Sequence, residues 1–198
     1  MQRRQQIRHQ TTLAIFIAII FLQDFVPLFG NIPLGPLSIT TLHVTVIIAA
    51  IVLGPGDGAI LGAVWGILTW IRAFVAPSSA LAPLVFTNPL VAIFPRLMIG
   101  VLAGYTFIGL QKLVNSPRWS AMGAAAVGSL TNTGLVLGLI YCFYRTPAVA
   151  KTYGVDVNHL LLALETVMAT NGLAELILAV ILVPLVAVPV REVQRRMV

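Results

Sequence analysis

Phe86-Thr-Asn-Pro-Leu-Val-Ala-Ile-Phe-Pro-Arg96 couples a helix start to a charge set deep in an apolar helix. Asn88 makes a good N-cap, because its side-chain oxygen can accept from a free first-turn amide. Pro89 suits the first helical position, where no amide is needed. At 1.5 Å rise per residue, Arg96 falls roughly 10 Å inside the helix. Pro95 has no N–H to give, so a backbone carbonyl at that depth needs another donor. An ionisable residue inside a lipid-embedded helix is by default a functional-site hypothesis.

The rest of the chain sets the class. Of 198 residues, 59% are hydrophobic and 9% charged, against about 25% charged in soluble domains. The composition describes an all-α integral membrane protein, one domain over residues 1–198. The net charge of +6 forms no stripe interleaved with aromatics, so no nucleic-acid partner is implied. Eight of the twelve basic residues (Arg3, Arg4, Arg8, Lys112, Arg118, Arg191, Arg195 and Arg196) fall on one side of the expected bundle. By the positive-inside rule that side is cytoplasmic, as expected of a multi-pass membrane protein. The single cysteine, Cys142, rules out an intramolecular disulfide and a multi-cysteine metal site. The basic start and apolar 11–25 resemble a signal peptide, but no small-x-small cleavage site precedes Pro27, so a first membrane helix is expected.

Six transmembrane helices are expected at about 12–25, 38–53, 59–75, 89–110, 119–144 and 159–190, with both termini cytoplasmic. The first carries Ala14-x-x-x-Ala18, a small-residue pair one turn apart that permits close approach of another helix. Gln23 and Asp24 near its outer end can face water or a cavity. Residues 27–38, with Pro27, Gly30, Asn31, Pro33, Gly35 and Pro36, are expected to form a long non-helical outer loop suited to act as a lid. Gly54-Pro-Gly-Asp-Gly58 reads as a tight inner turn, without the lysine and hydroxyl residue of a phosphate-binding loop. In the third helix Gly58, Gly62 and Gly66 form a close-packing ridge, while Trp65, Thr69 and Arg72 share another face. Arg72 lies close enough to the outer surface to snorkel, and Trp65 lies deeper as a candidate pocket wall.

Several polar groups share one depth. Counted from the outer end of the last helix, Glu165 lies about 9 Å deep, Asn171 about 18 Å and Glu175 about 24 Å. Asn132 falls near the middle of the fifth helix. Arg96, Asn132 and Asn171, with Asn88 above, can surround a cavity open to the outside. A guanidinium grips a carboxylate through two hydrogen bonds, and a buried Asn both donates and accepts. Two partners for Arg96 are open: Glu165 at rest, or the carboxylate of a ligand. Glu175 is expected to be structural or to serve coupling to a partner. Ser129 has no histidine at matching depth and no HExxH or clustered acidic motif is present, so no enzyme, cofactor or metal site is expected.

The organisation resembles the substrate-binding S component of energy-coupling factor (ECF) vitamin transporters. Ile39–Gly66 (ITTLHVTVIIAAIVLGPGDGAILGAVWG) and Phe86–Gly100 (FTNPLVAIFPRLMIG) are most similar to pantothenate-type members. The resemblance implies that this chain captures the vitamin outside, while a transmembrane coupling protein (T component) and two ATP-binding cassette ATPases supply the energy. It also implies that Ala14 and Ala18 dock on the coupling protein. Pantothenate carries a carboxylate, an amide, two hydroxyls and a geminal dimethyl group. Arg96 would take the carboxylate, Asn132 and Asn171 the amide and hydroxyls, and Trp65 with Phe86 the methyl groups. The alternatives are another vitamin, such as riboflavin or folate, or a stand-alone proton-coupled transporter using Glu165 or Glu175 as relay.

Overall fold

A computed structural model describes residues 2–26, 29–34 and 37–196. Helix α1 (Gln2–Phe25) leads into a two-stranded hairpin, β1 (Asn31–Leu34) and β2 (Leu37–Thr40). Then come α2 (Leu42–Val52), α3 (Pro55–Val75), the short α4 (Ala82–Val85), α5 (Pro89–Ala92) and α6 (Phe94–Val114). Helix α7 (Pro117–Phe143), the short α8 (Pro147–Thr152), α9 (Leu160–Val167) and α10 (Leu173–Arg196) complete the chain. A 3₁₀ turn (Val157–His159) precedes α9, and a π-helical turn (Met168–Gly172) joins α9 to α10.

Among the described residues, four rods are long and apolar enough to cross a membrane: Pro55–Val75, Pro89–Val114, Pro117–Phe143 and Val157–Gln194. Helix α2 is different. Its 11 residues give about 16 Å, roughly half a bilayer core. Every residue from Leu42 to Ile51 is buried, so α2 is a central post that the other helices shield. The expectation of a helix starting at residue 38 is corrected. Ser38 and Ile39 pair instead with Pro33 and Ile32, and Thr40 with Asn31, in an antiparallel ladder. The expected loop over 27–38 thus contains β structure, while Pro27, Gly35 and Pro36 lie outside the described residues.

Other boundaries follow local chemistry. Helix α3 begins inside the expected Gly-Pro turn, because Pro55 takes the first position and Asp57 sits in the first turn beside its unpaired amides. Asn115 closes α6 with φ 51°, the left-handed conformation a short polar side chain tolerates at a helix end. The fourth expected helix is two pieces, α5 and α6, meeting at Ile93. The glycine ridge of α3 packs on α6. A Cβ at Gly62 would lie 2.1 Å from the Arg96 carbonyl oxygen, and one at Gly66 2.6 Å from Ile93 Cα. The two backbones touch, and this close approach fixes where Arg96 enters the bundle.

Two apolar cores result. One surrounds α2 and gathers Leu61, Trp65, Ile99, Ala103, Phe107, Ala121, Ala125 and Val183. The other lies toward the hairpin end and gathers Leu81, Val85, Phe86, Val91, Val136, Ile140, Val149 and Leu160. Helices α4 and α8 fall within segments expected to be loops, and they supply Val85 and Val149 to this second core. A polar cavity opens where the cores meet.

Candidate ligand-binding site

Helix α2 starts at Leu42, about one turn later than expected, and the hairpin takes the place of that turn. Beside Thr40 of the hairpin lies a cleft partly open to solvent. The cleft is walled by α3, α4, α6, α7 and the α9–α10 rod, with Asp24, Asn31 and Thr40 contributed from α1 and the hairpin.

Arg96 dominates one wall. It is 6% exposed, and its guanidinium carbon lies 5.2 Å from the Trp65 ring centroid and 4.8 Å from that of Phe86. Both distances are those of cation–π contacts, which strengthen when water is excluded. Nη1 donates to the Val91 carbonyl oxygen at 2.9 Å, while Nε is buried without a partner. Among the described residues, no carboxylate lies within 4 Å of this guanidinium. Glu175 and Asp24 act on it only at longer range. The expected resting pair with Glu165 is corrected: Glu165 is exposed on the outside of α9, on a different face from buried Leu164.

Glu175 takes a place the depth count did not give it. It is 5% exposed and lines the cavity. Its Oε1 accepts from the Thr40 amide at 2.7 Å and its Oε2 from the Thr133 hydroxyl at 3.3 Å, so one carboxylate ties the hairpin, α7 and α10 together. Counting rise alone put Glu175 below the site.

Asn132 is 5% exposed, faces Glu175 and lines the cavity, with its Oδ1 buried and unpartnered. Asn171 lines the cavity from the π turn, and its Oδ1 accepts from the Thr170 hydroxyl at 3.3 Å. An extra residue in that turn rotates the following helix relative to the preceding one, a register change that π turns impose and that hydrophobic pattern does not reveal. Trp65 and Phe86 line the cavity as well. Asn88 does not. Its Oδ1 caps α5 by accepting from the Leu90 amide at 2.9 Å, and it is absent from the lining. The structure therefore gathers Arg96, Asn132, Asn171, Trp65 and Phe86 and leaves Asn88 as a cap.

Arg72 does not snorkel. It pairs with Asp24 Oδ1 at 3.0 Å and also donates to the Asp24 carbonyl oxygen, and both residues line the cavity. The shared face of Trp65, Thr69 and Arg72 was visible in their spacing, and all three line the cleft. Their partner on α1 was not. His43, also near this end, is fully buried against the backbone of Thr40 and Glu175, and neither ring nitrogen makes a hydrogen bond of good geometry.

A bundle holding a partly enclosed polar cleft, with an aromatic-flanked guanidinium in its wall, is a membrane-embedded receptor for a small solute. The model of the family "ECF transporter, substrate-specific component" matches residues 8–187, and the chain belongs to that family. It is similar to the pantothenate transporter PanT of Leuconostoc mesenteroides subsp. mesenteroides, 32% identical over 188 residues that span 89% of this chain and 90% of the relative. It is also similar to the pantothenic acid transporter PanT of Lactococcus lactis subsp. cremoris, 37% identical over 183 residues, 86% of this chain and 87% of the relative. The relatives are transporters, and this chain is a transporter component.

Proposed function

We propose that the chain captures pantothenate at the outer face of a plasma membrane and passes it inward together with a T component and two ATP-binding cassette ATPases. The names of two relatives alignable over most of the chain support the vitamin. Six segments cross in this reading: α1, the hairpin strand with α2, α3, α5–α6, α7 and α9–α10, with both termini in the cytoplasm. Contacts at the basic end support that arrangement. His9 of α1 meets Asp57 of α3 at 3.1 Å, and Arg191 of α10 donates to Gln111 of α6 at 2.8 Å. Ala14 and Ala18, exposed and one turn apart on α1, form the docking face for the T component.

The observation that carries the reading is Arg96. A buried cation held between Trp65 and Phe86, with no carboxylate in contact range, is ready for a ligand carboxylate. Asn132 and Asn171 supply donors and acceptors for the amide and hydroxyls, and the two rings border the methyl groups. Calorimetry of the purified chain against water-soluble vitamins should show pantothenate binding and no comparable binding of riboflavin or folate. In Arg96→Ala the affinity should fall at least about 100-fold, the scale of losing one partner of a buried ion pair. Unchanged affinity in a folded Arg96→Ala would sink the assignment.

A further inference from the structure

The cavity has a second charged pole that the carboxylate of the ligand does not use. Asp24, the penultimate residue of α1, lines the cleft and is 5% exposed. Its Oδ1 is taken by Arg72, whose guanidinium also donates to the carbonyl oxygens of Asp24 and Ala76. Its Oδ2 is buried and makes no well-aligned hydrogen bond among the described residues, with the Asn31 side chain of the hairpin beside it. Ser79 lines the same cleft, and its hydroxyl is likewise buried and unpartnered.

The charges decide what belongs at Oδ2. Asp24 and Arg72 together are neutral, so the pole needs no further cation, and an anion beside a carboxylate oxygen is repelled. What the oxygen lacks is a well-aligned neutral O–H or N–H donor, since a buried acceptor left unmade loses its hydration without return. Arg96 lines the same cleft as a cation with no carboxylate in contact. The site is thus bipolar, with one place for an anion and one for a hydroxyl.

We infer that Asp24 is a specificity-determining residue, its Oδ2 accepting a hydrogen bond from a hydroxyl of the bound ligand. The inference rests on the pantothenate reading, whose ligand carries hydroxyls apart from its carboxylate. Asn31 of the hairpin faces the same carboxylate, so the hydroxyl is sensed by α1 and by the hairpin together. Helix α1 also carries Ala14 and Ala18, and a ligand held by Asp24 therefore acts directly on the docking helix.

Two ligands separate the possibilities: pantothenate, and its analogue with hydrogen in place of both hydroxyls, each titrated by calorimetry into the full-length chain in detergent. The wild type should prefer pantothenate by about 10- to 100-fold, the value of a hydrogen bond to a charged acceptor. Asp24→Asn alone would leave Arg72 buried without its counter-charge, so the neutral pair D24N/R72M is the variant of choice. Its preference should fall several-fold, to about the 3- to 10-fold of an ordinary neutral bond. An unchanged preference in the variant, or equal affinities in the wild type, overturns the inference. Failure of the wild type to bind pantothenate refutes the underlying reading instead. A third measurement needs no variant. The chain holds only Asp24, Asp57 and Asp156, and only Asp24 lines the cleft. With carboxyl-¹³C aspartate, the infrared difference spectrum on adding pantothenate should show a shifted carboxylate band. A flat aspartate region overturns the inference.

Discussion

Arg96 Nη1 donates to the carbonyl oxygen of Val91 at 2.9 Å, and Val91 is the residue whose helical donor Pro95 removes. In an uninterrupted helix the amide of residue 95 would bond to that oxygen. Proline cannot, and the side chain of the next residue replaces it. The bond satisfies a backbone group inside the membrane and also sets the direction of the guanidinium between Trp65 and Phe86. One proline thus serves both the helix and the site.

Pro95→Ala should separate these two effects. The restored amide competes for the Val91 oxygen and frees Arg96 from its anchor, while an amide in the first turn of α6 lets α5 and α6 join as one helix. Thermal unfolding in detergent should show equal or higher stability, and calorimetry a pantothenate affinity lowered about 3- to 10-fold, the worth of one net hydrogen bond. Tighter binding together with higher stability would show that the Arg96–Val91 bond holds the guanidinium away from the ligand.

The carboxylate of Glu175 closes the hairpin onto the bundle. Removing it in Glu175→Ala leaves the buried Thr40 amide without its acceptor at 2.7 Å. A bond to a charged acceptor contributes about 1.5–3 kcal/mol. Hydrogen exchange at Thr40 should accelerate on the order of 10- to 100-fold, with faster ligand release. Glu175→Gln retains an acceptor oxygen and should recover much of the protection. Equal exchange in the wild type and Glu175→Ala would mean that strand pairing alone holds the hairpin.

The sequence made the helices and half of the cleft readable, for identifiable reasons. Arg96, Trp65, Asn132 and Asn171 stand out because polar or large groups at mid-membrane depth have few ordinary explanations. Asn88 stood out for its capping chemistry, and capping is what it does. Glu175 was placed below the site and Asp24 was left open between water and a cavity, for different reasons. Depth along a single helix cannot say how far down a cavity reaches, and the late start of α2 is hidden because no proline or glycine stands between Ser38 and Leu42. Asp24 needs Arg72 from a helix 48 positions away, a pairing that periodicity on either helix does not announce. The π turn at Met168–Gly172 left no mark in the hydrophobic pattern, yet it sets the register between Leu164 and Glu175.

The docking face makes a prediction that leaves the cleft untouched. Ala14 and Ala18 are exposed while Ile20, further along α1, is fully buried, so α1 presents one face to the bundle and another outward. Small side chains on the outward face let a second backbone approach closely, and a branched side chain there holds it off. Ala18 lies about 9 Å along the axis from Asp24, beyond direct contact with the ligand pole. Ala14→Leu should therefore leave pantothenate affinity within about 2-fold while reducing co-purification with the T component and ATPases at least about 10-fold, a coupling of roughly 1.4 kcal/mol or more. Uptake by the reconstituted complex should fall in proportion to assembly. Normal co-purification and uptake in Ala14→Leu would remove this face from the interface, whereas a parallel loss of ligand affinity would show that the outward face of α1 supports the cleft rather than docking.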